Sequence, residues 1–351
     1  MLKNLYKKMI AAAALVLAAN SATAIEVDEK ASIKDATTSV QGIHHIGLSV
    51  QHLDKTLAFY LEATGFELLK REKVSANRSA DTLFGGNNLA YERAVIKAPN
   101  MMFELIEFEH NQNLPARKMP VQGPGMTHTC FQSPAEDPGF DKFVSAGLEV
   151  LSRGSSPVDL GGYGVTYAYG YDPEGNMIEM EQLNDQLLKQ SGYDISWRNT
   201  GLDMWMSQVA LVTHDIERLM SFYQMVMGFQ PYRRGEYKDK PKFDEVADVD
   251  NMHVKAGWFR MEAGPKVMEF WQYLNPKTPE FTSERTATSL GYSFSLEVSD
   301  IQQEYKRLKA EGVAFFSQPV LLDGVWQVYA KDPDNNIFAL RQLTQNVAAQ
   351  P

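Results

Sequence analysis

The segment "GIHHIGLSV" (Gly42–Val50) places two adjacent histidines where an alternating strand begins. Alternation puts His45, Gly47 and Ser49 on one face and Ile46, Leu48 and Val50 on the other. The apolar face can pack on a helix while His45 points to the more open side, with His44 opposite it as a structural residue. An imidazole in that setting is either a metal ligand, which needs partners elsewhere in the chain, or a polar residue at a strand start. Other strand-like segments also carry candidate donors: His128 in "GMTHTCFQS", Glu104 in "MFELIE" and Glu179 in "MIEMEQ". Cys130 shares a face with His128 but suits buried apolar filling better than ligation. It is the only cysteine, so no intrachain disulfide is possible. Tyr167, Tyr169 and Tyr171 share one strand face, either lining an aromatic pocket or packing against a neighbour. Glu107 and Glu181 read as solvated strand ends.

The elements that position these residues recur along the chain. "LDKTLAFYLEATGF" (Leu53–Phe66) returns as "IERLMSFYQMVMGF" (Ile216–Phe229). Leu57, Tyr60 and Leu61 have the i, i+3, i+4 spacing of an amphipathic helix, with Asp54 as its N-cap, and Gly65 and Gly228 suit left-handed closing positions. "AYGYDPEGNMIEMEQL" (Ala168–Leu183) likewise matches "VYAKDPDNNIFALRQL" (Val328–Leu343), each a turn between two strands. The chain therefore reads as four strand–helix–strand–strand–strand modules over about 41–110, 125–184, 205–275 and 288–343, with a linker at 185–204.

The ends and the composition narrow the function class. Residues 1–24 combine Lys3, Lys7 and Lys8 with an apolar run and Ala22-Thr23-Ala24, the pattern of a secretory signal peptide. Cleavage would leave a soluble periplasmic or secreted protein with no membrane contact. Losing those lysines makes the net charge three units more negative than −10, which argues against a nucleic-acid partner. The expected partner is a small molecule, and the protein a monomer or homodimer.

"HIGLSV" followed by "LDKTLAFYLEATGFEL", together with "DPEGNMIEME", resembles the vicinal oxygen chelate superfamily, which includes glyoxalase I, extradiol dioxygenases and bleomycin-binding proteins. The resemblance implies an α+β fold in which four βαβββ modules pair into two open eight-stranded barrels, helices outside. It also implies one divalent metal (Ni, Zn, Fe, Mn or Co) in a cup between paired modules, held by first- and last-strand residues. Carried over by position, the ligands are His45, Glu104, His128 and Glu179, so an N-terminal domain at 41–184 binds metal. The corresponding positions in the C-terminal domain, 205–343, are Gln208, Glu269, Ser293 and Ala339, and that half is expected to be metal-free. Pairing module 2 with module 3 is the alternative; it assembles His128, Glu179, Gln208 and Glu269.

A set of two histidines and two glutamates looks most like glyoxalase I, where a metal polarises a substrate carbonyl and a ligand glutamate moves a proton beside it. Glu179 takes that catalytic role by position. Two alternatives stand beside it. One is an extradiol ring-cleavage dioxygenase using His45, His128 and Glu179, with Tyr169 matching a tyrosine of that signature. The other is a non-catalytic ligand- or metal-binding protein. The glutathione adduct of glyoxalase I is cytosolic, so an exported enzyme implies the reaction class more firmly than the substrate.

Overall fold

The computed structural model describes residues 38–344, except 116, 155, 193–202, 262–265 and 283. The expected signal peptide and half of the linker lie outside the described residues. Module 1 comprises β1 (Val40–Val50), α1 (Leu53–Thr64), β2 (Glu67–Val74), α2 (Arg78–Phe84), β3 (Tyr91–Lys97) and β4 (Met102–Phe108). Module 2 comprises β5 (Gly125–Pro134), α3 (Gly139–Ser145), the short β6 (Glu149–Val150) and β7 (Val158–Asp159), β8 (Val165–Tyr171) and β9 (Met177–Leu183); α4 (Asp185–Gln190) follows. Module 3 repeats the first plan with β10 (Trp205–Val212), α5 (Ile216–Met227), β11 (Arg233–Lys238), α6 (Pro241–Ala247), β12 (His253–Arg260) and β13 (Val267–Asn275). Module 4 repeats the second with β14 (Gly291–Val298), α7 (Ile301–Ala310), β15 (Ala314–Phe315), β16 (Val320–Leu322), β17 (Val325–Lys331) and β18 (Ile337–Leu343).

Strand order decides how the modules combine. One sheet runs β15-β17-β18-β14-β1-β4-β3-β2, with β16 beside β17. The other runs β11-β12-β13-β10-β5-β9-β8-β6, with β7 beside β8. Each has the expected eight strands in line plus one, in an α+β molecule. The expected pairing of consecutive modules is overturned: module 1 pairs with module 4, and module 2 with module 3. Neither 41–184 nor 205–343 forms a cup by itself. The joints are antiparallel ladders between first strands, β1 with β14 (Ile43↔Leu296 to Ser49↔Gly291) and β10 with β5 (Trp205↔Gln132 to Val212↔Gly125).

Consecutive modules instead share a core between the sheets. Helix α1 packs on α3, and the Tyr60 ring meets Phe103 of its own module at 4.8 Å and Phe131 of the next at 5.9 Å. The repeated Phe-Tyr and Asp-Pro motifs meet here. Tyr60 Oη donates to Asp172 at 3.1 Å, and Tyr223 Oη to Asp332 at 2.9 Å. Gly65 (φ 66°) and Gly228 (φ 75°) end α1 and α5 in the left-handed region, as their spacing predicts. The cap of α1 differs from expectation. Asp54 lies inside the first turn, and the cap position is His52, whose side chain accepts nothing. Carboxylates from elsewhere serve that end: Glu107 accepts from Leu53 N, and Glu174 of module 2 accepts from Gln51 N at 2.8 Å and His52 N at 2.7 Å. Glu107 is thus a helix-capping group and not a solvated strand end.

Candidate metal centre

The joint between modules 2 and 3 gathers four donor side chains from four strands. β5 carries His128, β9 Glu179, β10 Gln208 and β13 Glu269, and all four are buried. Pairing sets their height: Ala210 faces His128 across the antiparallel joint, Ala210 also lies beside Glu269, and Cys130 lies beside Glu179. His128 Nε2 lies 3.5 Å from Glu179 Oε2 and 3.6 Å from Glu269 Oε2. One donor atom from each of these three residues falls within 4.8 Å of the others. Gln208 Nε2 donates to both carboxylates, at 3.1 Å to Glu269. Glu269 is fixed further by Trp258, whose indole N–H donates to its Oε1 at 2.6 Å.

Burial alone pulls the His128 imidazolium down, but Glu179 and Glu269 outweigh it and lift the pKa to about 9. Burial raises the Glu179 carboxyl above its ordinary value, with His128 pulling the other way. The cluster is therefore held together by charge while its imidazole nitrogen Nε2 has no hydrogen-bond partner. One imidazole, two carboxylates and an amide oxygen suit a borderline-to-hard divalent cation, and two anionic donors around one buried nitrogen fit such a group. Tyr169 packs on the His128 ring at 5.0 Å, so the tyrosine stripe of β8 belongs to the cup wall. Cys130 is fully buried, and burial pushes its thiol well above the ordinary range. Its Sγ nevertheless falls within 4.8 Å of carboxylate oxygens of Glu179 and Glu181, a second group of donor atoms beside the first. Glu181 is half-buried and accepts from Gln132, so it is no solvated strand end.

His45 and Glu104 are absent from this cluster. They lie 3.5 Å apart in the other sheet, at the joint of modules 1 and 4, where the remaining two ligand positions are Ser293 and Ala339. The expectation that His45 and Glu104 ligate one metal together with His128 and Glu179 is thereby corrected, because strand pairing sends the two pairs to different sheets. In the first cup a guanidinium takes the cation's place. Arg93 reaches Glu104 at 3.4 Å, Glu72 at 2.5 Å and Asp323 at 2.8 Å. Burial, then Arg341 and Arg93, lowers His45 to about 3 and keeps it neutral. A bulge between Ile43 and His45 brings His44 Nδ1 to 2.9 Å from His45 Nδ1, so His44 is not simply on the opposite face. Phe84 of α2 packs here against Tyr91, Phe108 and Tyr329.

Two family models match the sequence, both described as the Glyoxalase/Bleomycin resistance protein/Dioxygenase superfamily, over residues 42–180 and 207–329. The chain belongs to this superfamily. Its fold is similar to that of glyoxalase I from Zea mays (TM-score 0.57, 20% identity, covering 86% of this chain and 92% of that one). It is also similar to a putative dioxygenase from Bacillus subtilis (TM-score 0.54, 12% identity, 89% and 88% covered). In sequence, the uncharacterized protein YetH of Bacillus subtilis is 31% identical over 106 residues, 30% of this chain and 82% of that protein. Structural neighbours of this superfamily member thus include both enzyme types.

Trp258 and Arg93 carry weight that motif reading missed. A signal existed for Arg93: in "YERAVIK" it shares its strand face with Tyr91 and Val95, an inward position that a charged residue occupies only with partners.

Proposed function

We propose that this protein is a divalent-metal-dependent enzyme that moves a proton beside a carbonyl of a small substrate, as an isomerase or lyase of the glyoxalase I type. The observation that supports this most is the convergence of His128, Glu179, Gln208 and Glu269 on one buried point. A divalent cation bound there supplies Lewis acidity toward a substrate oxygen. His128 and Glu269 act as fixed donors, Glu269 because Trp258 and Gln208 both donate to it. Gln208 bridges the two carboxylates through its amide Nε2, and a turn of that amide would present its neutral oxygen to the cation. Glu179 is the proton carrier: its carboxyl is raised by burial, and it lacks the indole clamp that immobilises Glu269. Tyr169 and the aromatic walls keep water from the transferred proton.

The extradiol reading loses support on one count. Its two-histidine, one-carboxylate set requires His45 beside His128, and they stand in different sheets. The test is turnover by metal-loaded protein on methylglyoxal–thiol adducts, with oxygen uptake on catechols run in parallel. Isomerisation lost in Glu179→Gln supports the proposal. Oxygen-dependent ring cleavage overturns it, and tight metal binding with neither activity favours the binding-protein alternative.

A further inference from the structure

Strand β11 carries one cation inward. Its alternation leaves Arg233, Gly235 and Tyr237 half-buried and Arg234, Glu236 and Lys238 exposed. Arg233 pairs with Trp258, and Trp258 pairs with Glu269, so the guanidinium stands in the cross-strand row of the metal-centre carboxylate. Its Cζ lies 4.3 Å from the Trp258 ring centroid, and Nη2 donates to Tyr237 Oη at 2.7 Å.

What distinguishes Arg233 is the anion it lacks. Arg93, the inward arginine of the other cup, meets three carboxylates. Among the described residues no carboxylate oxygen comes within ion-pair distance of Arg233; its polar contact is a phenol. Burial opposes its charge, and the oxygens of Tyr237, Tyr232 and Tyr167 offset that, so it stays a cation. Tyr167 of β8, near the opposite end of the sheet, packs against the same buried cluster as Tyr237 and Trp271, so the curved sheet brings its two ends to one apolar wall. A second donor lies in the same wall. Trp271, two residues beyond Glu269 on the same strand face, meets Trp258 edge-on at 5.7 Å, and its buried indole N–H has no acceptor. An unsatisfied buried donor is costly, so such groups normally have a partner in the working state.

We infer that the cup takes a small unsaturated or aromatic carboxylate, its carboxylate held by Arg233 and its flat body against Trp258 and Trp271. The guanidinium fork matches the two oxygens of a carboxylate, and a half-buried cation without a counter-ion selects for an anion over a neutral isostere. The overall negative charge of the chain makes that selection local, not a general attraction for anions. Arg233 is a specificity-determining residue here and takes no part in proton transfer. The inference deepens the metal-centre reading and rests on it for the position of the reacting end.

Calorimetric titration of zinc-loaded protein with benzoate and with benzamide tests it, zinc content being measured in every sample. Wild type should prefer benzoate by roughly 10–100-fold, the range of a charge-assisted hydrogen bond. Arg233→Met keeps the stem on Trp258 and should lose that preference; Arg233→Lys should keep part of it, and zinc content should not change. Equal preference in wild type and Arg233→Met would overturn the inference, since the metal alone would then hold the carboxylate. Absence of measurable benzoate binding to wild type would overturn it too. The same titration on metal-free protein separates the two readings. An Arg233-dependent benzoate preference in protein that binds no zinc supports the anchor and contradicts the metal centre.

Discussion

His128 Nε2 lies 3.6 Å from Glu269 Oε2, although one belongs to the first strand of module 2 and the other to the last strand of module 3. That contact ties the candidate centre to the pairing of β5 with β10. The clamp on Glu269 comes from within module 3, where Trp258 lies opposite it on β12; the first cup's ion-pair network has no such indole.

Trp258→Phe should keep the ring packing but remove the N–H from Glu269 Oε1. Metal affinity is expected to fall about 10–100-fold, the usual scale for an outer partner of a ligand. Competition with a chromophoric chelator measures it. Unchanged affinity would mean that Glu269 is not a ligand.

The repeats, the helix-ending glycines Gly65 and Gly228 and the strand–helix–strand order within each module were legible because each rests on local spacing, while the α+β class followed from the superfamily resemblance. Partnership between modules was not. Strand alternation around His45 and His128 looks the same whichever first strand lies alongside. Donor chemistry did not decide either, because His45, Glu104, His128 and Glu179 form as competent a set as His128, Glu179, Gln208 and Glu269. The Tyr60–Asp172 contact does link modules 1 and 2, but through the inter-sheet core and not along a sheet edge.

Tyr60→Phe and Tyr223→Phe should each destabilise the fold by about 1–3 kcal/mol, because a buried carboxylate loses a donor. Urea denaturation followed by circular dichroism checks this. Neither change should alter metal stoichiometry, since both hydroxyls lie in the core between the sheets.

Arg93→Met should cost about 3 kcal/mol or more, because Glu104 would be left buried without its cation. Combining it with Glu104→Gln should recover much of the loss. If the double variant is no more stable than Arg93→Met, the guanidinium is not the internal counter-ion of the first cup.

The pKa of His128 in metal-free protein is raised from 6.5 to about 9. Its stabilising contribution is therefore complete below pH 6.5 and disappears as pH rises through about 9. A metal ion must displace that proton, so binding near neutral pH should release it into the buffer, with release vanishing at pH well above the folded pKa. Calorimetry in buffers of different ionisation enthalpy counts the protons. His45 has the opposite sign: lowered to about 3, it contributes stability above pH 6.5 that is lost as pH falls. His45→Gln should flatten the acid limb of the stability profile without changing metal-linked proton release.

The most direct measurement is metal stoichiometry by elemental analysis, after reconstitution and dialysis, in four variants. Pairing of module 2 with module 3 predicts that Gln208→Ala and Glu269→Ala lose most or all of the metal, while His45→Ala and Glu104→Ala retain one ion per chain. Retention in Gln208→Ala and Glu269→Ala, with loss in His45→Ala and Glu104→Ala, would contradict the account and return the centre to modules 1 and 2.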